Sequence, residues 1–360
     1  MKVGRWFVGL LAVLIAAGAA LYFYRTEVAV ALMRRAAPEA MRASLVDELP
    51  DGLHAAFCGT GSPLPDRSRA GPCLAVIAGR HVFVFDAGEG ASETLSLMGV
   101  SPSAIETVFL THLHSDHFDG LAPLALQHWA NASAQAPLHV VGPVGTVRVA
   151  TALNEAYTID RGYRIAHHGE DVLPPSGFGL APEEFSVEPG ATDHVVYDAD
   201  GVRIIAFPVV HAPVDHAYGY RVEYAGRSLV ISGDTSATPT IARVAHGADL
   251  LVHEAISTEL NRVMHDAAVE TGRTGVGDIF DDILTYHTSP EQVGAEAQEA
   301  GVGAVALTHL LPTTPIPGLT DIFVRAAKTN YTGPVWAMRD GDVISLPASG
   351  GIQRSRHIRF

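Results

Sequence analysis

His112, His114, Asp116 and His117 fall within six residues, spaced His-x-His-x-Asp-His. Side chains of this type at this density can present imidazole nitrogens and a carboxylate to two metal ions from one turn. Zinc takes neutral imidazole and carboxylate oxygen readily, and a catalytic zinc keeps one position open for water. The apolar segment 106–110 before the cluster reads as a short buried strand, so the cluster leaves a strand end into a loop, where scaffolds carry chemistry. Two ions need more ligands than this cluster holds. Three further residues follow strand-like apolar runs: His211 after 202–210, Asp234 after 229–233 and His309 after 305–308. Side chains at one end of several core strands converge, whereas a lone histidine beside an apolar strand is more often a packed core residue. His216 is the rival of His211; His211 is preferred because it directly ends its strand.

The elements that must position these residues alternate in type. Strands are expected at 54–57, 74–78, 81–86, 107–110 and 138–141, with helices at 91–98, at 121–129 and from Gly142-Pro-Val-Gly145 onward. The stretch 160–195, rich in Pro, Gly and acidic residues, reads as the least regular. With Tyr163, His167, His168 and Phe178 it is expected to wall the substrate side, an ordinary surface insertion being the alternative. Strands return at 202–210, 218–224 and 228–232, then a helix at 239–246 and a strand at 250–253. Ser289-Pro-Glu-Gln292 is a capping-box start with proline at the first helical position, and Gly301 stops that helix. A buried strand at 302–307 follows. This order predicts two sheets packed face to face with helices outside, a four-layer αββα arrangement of the α/β class.

With 360 residues and 48% apolar content, the chain has ample material for a core. The formal charge of −15 argues against a broad phosphate-binding surface, because nucleic-acid affinity rests on Lys and Arg, but leaves room for a local basic groove. Lys2 and Arg5 precede an uncharged run, 6–24, closed by Arg25. A helix over that run rises about 28 Å, against a hydrocarbon core of about 30 Å. Trp6, Tyr22, Phe23 and Tyr24 at its ends suit an interfacial belt. Ala17-Gly-Ala19 offers a signal-peptide cleavage site as the rival reading. The expected division is a transmembrane anchor or signal peptide at 1–25, a helical linker at 26–52, a hydrolase domain at 53–347 and a tail at 348–360. A membrane-anchored or periplasmic, extracytoplasmic location follows. Cys58 and Cys73 flank a Gly/Pro-rich turn; a disulfide and two buried thiols stay equally open.

Together with the His112 cluster, a series of segments resembles the metallo-β-lactamase superfamily, and within it the ribonuclease Z-like and arylsulfatase-like group. These are Phe57-Cys-Gly-Thr-Gly61, Phe85-Asp-Ala-Gly-Glu-Gly90, Gly142-Pro143, His211 and Tyr218-Gly-Tyr-Arg221. Ser232-Gly-Asp-Thr235, His253-Glu-Ala255, His287 with Ser289, and Thr308-His309 complete the series, and the resemblance spans about 54–345. It implies a metallo-β-lactamase sandwich with two Zn2+ ions. His112, His114 and His211 would hold one, Asp116, His117 and His309 the other, and Asp234 would bridge them, with Asp86 a structural carboxylate behind the metal loop. A metal-bridging hydroxide would be the nucleophile, with the ions clamping phosphoryl or sulfuryl oxygens. Asp116 joins His287 and Glu254 among the catalytic residues. His287 would be general acid or oxyanion stabiliser and Glu254 would orient it. A helix cap is the alternative for His287, and support of the metal ligands for Glu254.

The substrate is less legible. Ribonuclease Z proper carries a long tRNA-gripping arm between the third-histidine motif and the bridging aspartate, but here His211 and Asp234 are 23 positions apart. Thr308-His-Leu-Leu-Pro312 also departs from that group's pattern. The sequence reading therefore ranks a phosphodiester or sulfate ester of a small substrate first. A ribonuclease Z-like endoribonuclease of the tRNA 3′-processing type comes second, and a lactone or β-lactam hydrolase third. The expected partners are a small ester and, through the N-terminal helix, a membrane. Nucleic acid ranks low without being excluded, and a homodimer is compatible.

Overall fold

A computed structural model describes residues 2–131, 133–188 and 190–358, without the side chains of residues 2–5 and 8, so the charges expected at Lys2 and Arg5 lie outside the described residues. The chain divides into two compact units, one up to Ser44 and one from Leu45. In the first, α1 (Lys2–Phe23) gives way at Tyr24 to α2 (Arg25–Arg42). Arg25 donates to Tyr22 O at 2.8 Å and lies over the Tyr22 ring, closing α1 where the apolar run ends. Among the described residues no single helix is long and apolar enough to cross a membrane; Gly9–Phe23 and Arg25–Arg42, bent by 70°, meet the requirement only as a pair. The structure therefore does not support the single span expected at the N-terminus.

The second unit opens with α3 (Leu45–Glu48) and carries two sheets. The strands of the first are β1 (Gly52–Gly59), β2 (Cys73–Ala78), β3 (His81–Phe85), β4 (Ile105–Phe109), β5 (Leu138–Pro143) and β6 (Leu180–Phe185). Those of the second are β7 (His194–Ala199), β8 (Val202–Pro208), β9 (Tyr218–Tyr224), β10 (Arg227–Ile231), β11 (Leu250–Ile256), β12 (Ala304–Leu311) and β13 (Val335–Ala337). The chain then returns to the first sheet through β14 (Asp342–Pro347) and β15 (Gln353–Arg356), giving the order β15-β14-β1-β2-β3-β4-β5-β6. The second sheet runs β13-β12-β11-β10-β9-β8-β7. Helices α4 (Ala91–Met98), α5 (Leu121–Asn131), α6 (Thr146–Ala156) and α7 (Thr158–His168) belong to the first half. Helices α8 (Pro239–Val244), α9 (Thr258–Glu270), α10 (Thr274–Asp282), α11 (Pro290–Ala300) and α12 (Thr320–Ala327) belong to the second.

The period-2 alternation of strand side chains produces the layers. Leu53, Ala55 and Phe57 of β1 enter the core between the sheets with Phe85, Phe109, Tyr220 and Val252. Ala56 and Cys58 point the other way, to the core with Leu95, Leu121 and Ala150 of α4, α5 and α6. On the opposite side Leu251 and Val305 pack against Ile241, Val293 and Phe323 of α8, α11 and α12. Two sheets between two helical layers give the expected αββα order. Cys58 and Cys73, both buried, are joined as a disulfide that closes the turn 59–72, so of the two open readings the bridged one holds.

Two segments depart from expectation. The stretch 160–195 is largely regular: it holds most of α7, a short 3-10 turn at Pro175–Gly177, all of β6 and the start of β7. Pro182 is tolerated within β6 because that strand is the sheet edge. Helices α9 and α10, which the sequence pattern does not predict, pack against one another between β11 and α11 in the chain. Only Asn261 and Ala268 of α9 are buried, so no apolar stripe announces it.

Candidate metal centre

The loop after β4 is anchored by Asp86, which follows β3 with a left-handed φ of 58°. Its carboxylate accepts Thr111 N–H and Thr111 Oγ1, each at 2.8 Å, and its Oδ2 lies 2.8 Å from His117 Nδ1. The backbone of 87–88 passes directly beneath the cluster: a Cβ on Gly88 would overlap Asp116 O, and one on Gly120 would overlap Gly88 O. Glycine at both positions lets the histidine loop lie flat on the strand end. His309 arrives differently. Between β11 and β12 the register slips so that His309 is the extra residue of a bulge, with φ 45°. Bulges re-aim side chains in this way.

These devices bring seven side chains together. His112 Nε2 lies 2.9 Å from His114 Nδ1, and His211 Nε2 lies 3.2 Å from the same atom. The three rings converge on one point, and burial lowers the pKa of each, which favours the neutral form that binds metal. Asp234 Oδ2 stands 3.3 Å from His117 Nε2, 3.4 Å from His309 Nε2 and 4.0 Å from His112 Nε2. Asp116 Oδ2 is 3.6 Å from His117 Nε2 and 3.4 Å from His309 Nε2. Ligands around a tetrahedral zinc with bonds of about 2.0–2.1 Å are about 3.3 Å apart, close to these separations. His117 Nε2 is buried with no hydrogen-bond partner, as a nitrogen kept for a metal would be. The residues thus fit two divalent cations, with Asp234 between the two groups. Without a cation, the burial that would lower the His117 pKa is outweighed by Asp234 and Asp86, which raise it well above its usual value. Asp234 is likewise depressed, despite burial, by His309 and His117. A metal bound at His117 Nε2 would displace any proton held there.

Outside this set, His211 Nδ1 lies 3.0 Å from Tyr286 O, which fixes the ring with Nε2 inward. His216 is exposed and outside every such group, so His211 takes the place the two contested. His287 is buried, with Nδ1 3.3 Å from Glu254 Oε2, and its ring stacks over His309 at a centroid distance of 5.8 Å. Burial opposes its charge, but Glu254, with a contribution from Asp234, outweighs burial and raises its pKa. Glu254 Oε1 accepts Thr288 N–H at 2.8 Å and Thr235 N–H at 3.5 Å, locking the carboxylate. Thr111, Thr235, Thr288 and Tyr286 were not foreseen as supports; only their adjacency to His112, Asp234 and His287 signals them. A cavity of about 810 Å³ opens beside Asp116, lined among others by Leu64, Arg67, Arg69, Glu89 and Asp119. No residue of 160–195 lines this cavity; Phe178 packs edge-on against Trp129, and Tyr163 is exposed.

Residues 68–272 match the family described as the metallo-beta-lactamase superfamily. The chain belongs to that superfamily. It is accordingly a metal-dependent hydrolase of the metallo-beta-lactamase fold. Among its relatives, a Ribonuclease Z of Mycobacterium marinum is 38% identical over 279 residues, covering 77% of this chain and 92% of the relative. A Ribonuclease Z of Mycobacterium bovis is 35% identical over 285 residues, covering 79% and 94%. Among solved structures, human tRNase Z, short form, has a TM-score of 0.57 at 22% identity and covers 82% of this chain and 99% of its own. The metallo-beta-lactamase fold protein YhfI from Bacillus subtilis has a TM-score of 0.59 at 18% identity, covering 81% and 99%. The two structures show the shared fold.

Proposed function

We propose that the protein is a ribonuclease Z-type phosphodiesterase that hydrolyses RNA, with precursor tRNA as the substrate class. The observation that carries this reading is the 38% identity extending over 92% of a Ribonuclease Z, together with the convergent His and Asp groups. It reverses the ranking drawn from the sequence, which placed a small ester first and nucleic acid low.

The first zinc site is assigned to His112, His114 and His211, the second to Asp116, His117 and His309, with Asp234 shared. Two such cations would acidify water and draw charge from the phosphoryl oxygens. The chain's own residues do the rest. Asp86 holds His117 with Nε2 free, Tyr286 O holds His211 in the same sense, and Asp116 and Asp234 supply the negative charge that keeps the cations. His287 holds a proton for the leaving alkoxide, and Glu254 keeps that ring charged and oriented.

A second reading, a phosphodiesterase or sulfatase for small esters, is favoured by the interval between His211 and Asp234, which the β9–β10 hairpin fills. The disulfide supports placing such an enzyme in an oxidising, extracytoplasmic compartment. Purified full-length protein, with zinc counted by elemental analysis, would be assayed side by side on precursor tRNA, bis-p-nitrophenyl phosphate, an aryl sulfate, nitrocefin and a lactone. Cleavage at the 3′ side of precursor tRNA is expected. Turnover of a small ester with no RNA cleavage would overturn the first reading in favour of the second.

A further inference from the structure

Behind Glu254 lies an ion pair that the chemistry above does not use. His253 is fully buried in β11, and Glu296 of α11 is buried beside it. His253 Nε2 and Glu296 Oε2 are 3.3 Å apart as a buried ion pair, and neither atom has any other partner. His253 Nδ1 lies 2.7 Å from the backbone carbonyl of Glu254. Nδ1 therefore faces a carbonyl, which can only accept, and Nε2 faces the Glu296 carboxyl group; with Glu296 ionised, the doubly protonated imidazolium meets both. Burial opposes that charge, and Glu296 together with Glu254 outweighs the opposition, so the pKa is raised. The other Glu296 oxygen accepts Thr238 N–H at 2.8 Å, so the carboxylate is held from two sides.

The position of this pair matters. The Glu254 carbonyl it grips sits at the edge of the bulge that aims His309, and the Glu254 side chain faces His287. Glu296 lies on the helix whose N-cap, Ser289, comes two residues after His287. The pair thus clamps α11 to β11 at the point where the Glu254–His287 couple is mounted. We infer that Glu296 is a positioning residue for hydrolysis, acting through the His253 imidazolium to hold Glu254, and through it His287, in the geometry for proton delivery. This rests on the reading of His287 as proton donor, and holds whether the ester is RNA or a small diester.

The test uses full-length, zinc-loaded protein and two substrates. One has an alkoxide leaving group that needs a proton (precursor tRNA, or a dinucleotide if only small diesters are taken). The other is bis-p-nitrophenyl phosphate, whose leaving group departs without one. Glu296→Gln is expected to lower kcat on the alkoxide substrate about 10- to 100-fold, the scale of a small misplacement of a catalytic group. KM and p-nitrophenolate release should stay close to wild type, since only the transition-state step is touched. His253→Leu/Glu296→Met replaces the pair with apolar groups, an exchange that buried ion pairs often survive without loss of fold. It should bind two zinc ions and show the same selective loss. In a Glu254→Gln background, Glu296→Gln should add less than about a twofold loss, because groups acting in series are not additive. Wild-type kcat in either folded variant, equal losses on both substrates, or full additivity with Glu254→Gln would overturn the inference. Wild-type turnover of the alkoxide substrate by His287→Ala would instead overturn the underlying reading.

Discussion

Asp86→Asn is the sharpest probe of how the metal loop is held. The substitution keeps the shape and exchanges one oxygen for an NH2 group, and the three contacts of Asp86 leave that group no comfortable orientation. If the NH2 takes the Oδ2 position, it meets His117 Nδ1 and Thr111 Oγ1. The ring must then accept at Nδ1 and carry its proton on Nε2, the atom that faces Asp234 and the second cation. Wrong tautomers of this kind cost about 10- to 100-fold in metal affinity. If the NH2 takes the Oδ1 position instead, it opposes the buried Thr111 N–H, and leaving that donor unsatisfied costs about 1–3 kcal/mol. The two penalties are of similar size, so neither orientation escapes. Competition titration against a chromogenic chelator should show the second zinc weakened about 10- to 100-fold. The ion at His112, His114 and His211 should be affected less. Calorimetry on the metal-free protein reads the second penalty. Wild-type affinity for both ions with unchanged stability would refute the role given to Asp86.

Four further outcomes are expected. His287→Ala should keep both zinc ions and lose about 10²- to 10⁴-fold in kcat on an alkoxide-leaving substrate, the usual range for a general acid; unchanged turnover removes His287 from the reaction. Asp234→Ala should lose metal by elemental analysis, and retention of two ions would refute the shared position. Glu254→Gln removes the carboxylate that holds the His287 pKa up against burial. The donor must be protonated to act, so the alkaline limb of the pH–rate profile should move to lower pH, and a fixed limb contradicts the pairing. Cys58→Ser/Cys73→Ser opens a crosslink spanning 15 positions and should destabilise by about 3 kcal/mol in denaturant titrations under oxidising conditions; an unshifted midpoint would show that the crosslink adds nothing.

Much of the site was legible because ligand chemistry restricts residue type and strand ends restrict position. The His112 cluster announced itself by density, and His211, Asp234 and His309 by following apolar strands. The order of strands and helices along the chain likewise carried the layered sandwich. Local pattern failed where burial is sparse: α9 and α10 have no continuous apolar face, and the proline-rich stretch containing β6 is regular because it lies at a sheet edge. The N-terminal run reads as one span from hydropathy, yet the chain turns at Tyr24, where Arg25 caps the helix.

The sequence by itself determined which residue types could bind metal and which ends of which strands would bear them. Only the tertiary structure decided between His211 and His216, joined Cys58 to Cys73, and set His309 in a bulge beside Asp234. It alone paired Glu296 with His253, 43 positions away in the chain. The reason is physical. Composition and periodicity report what a segment can bury, whereas these choices depend on which atoms meet across two sheets and a helix. That meeting is fixed by packing, not by any local pattern.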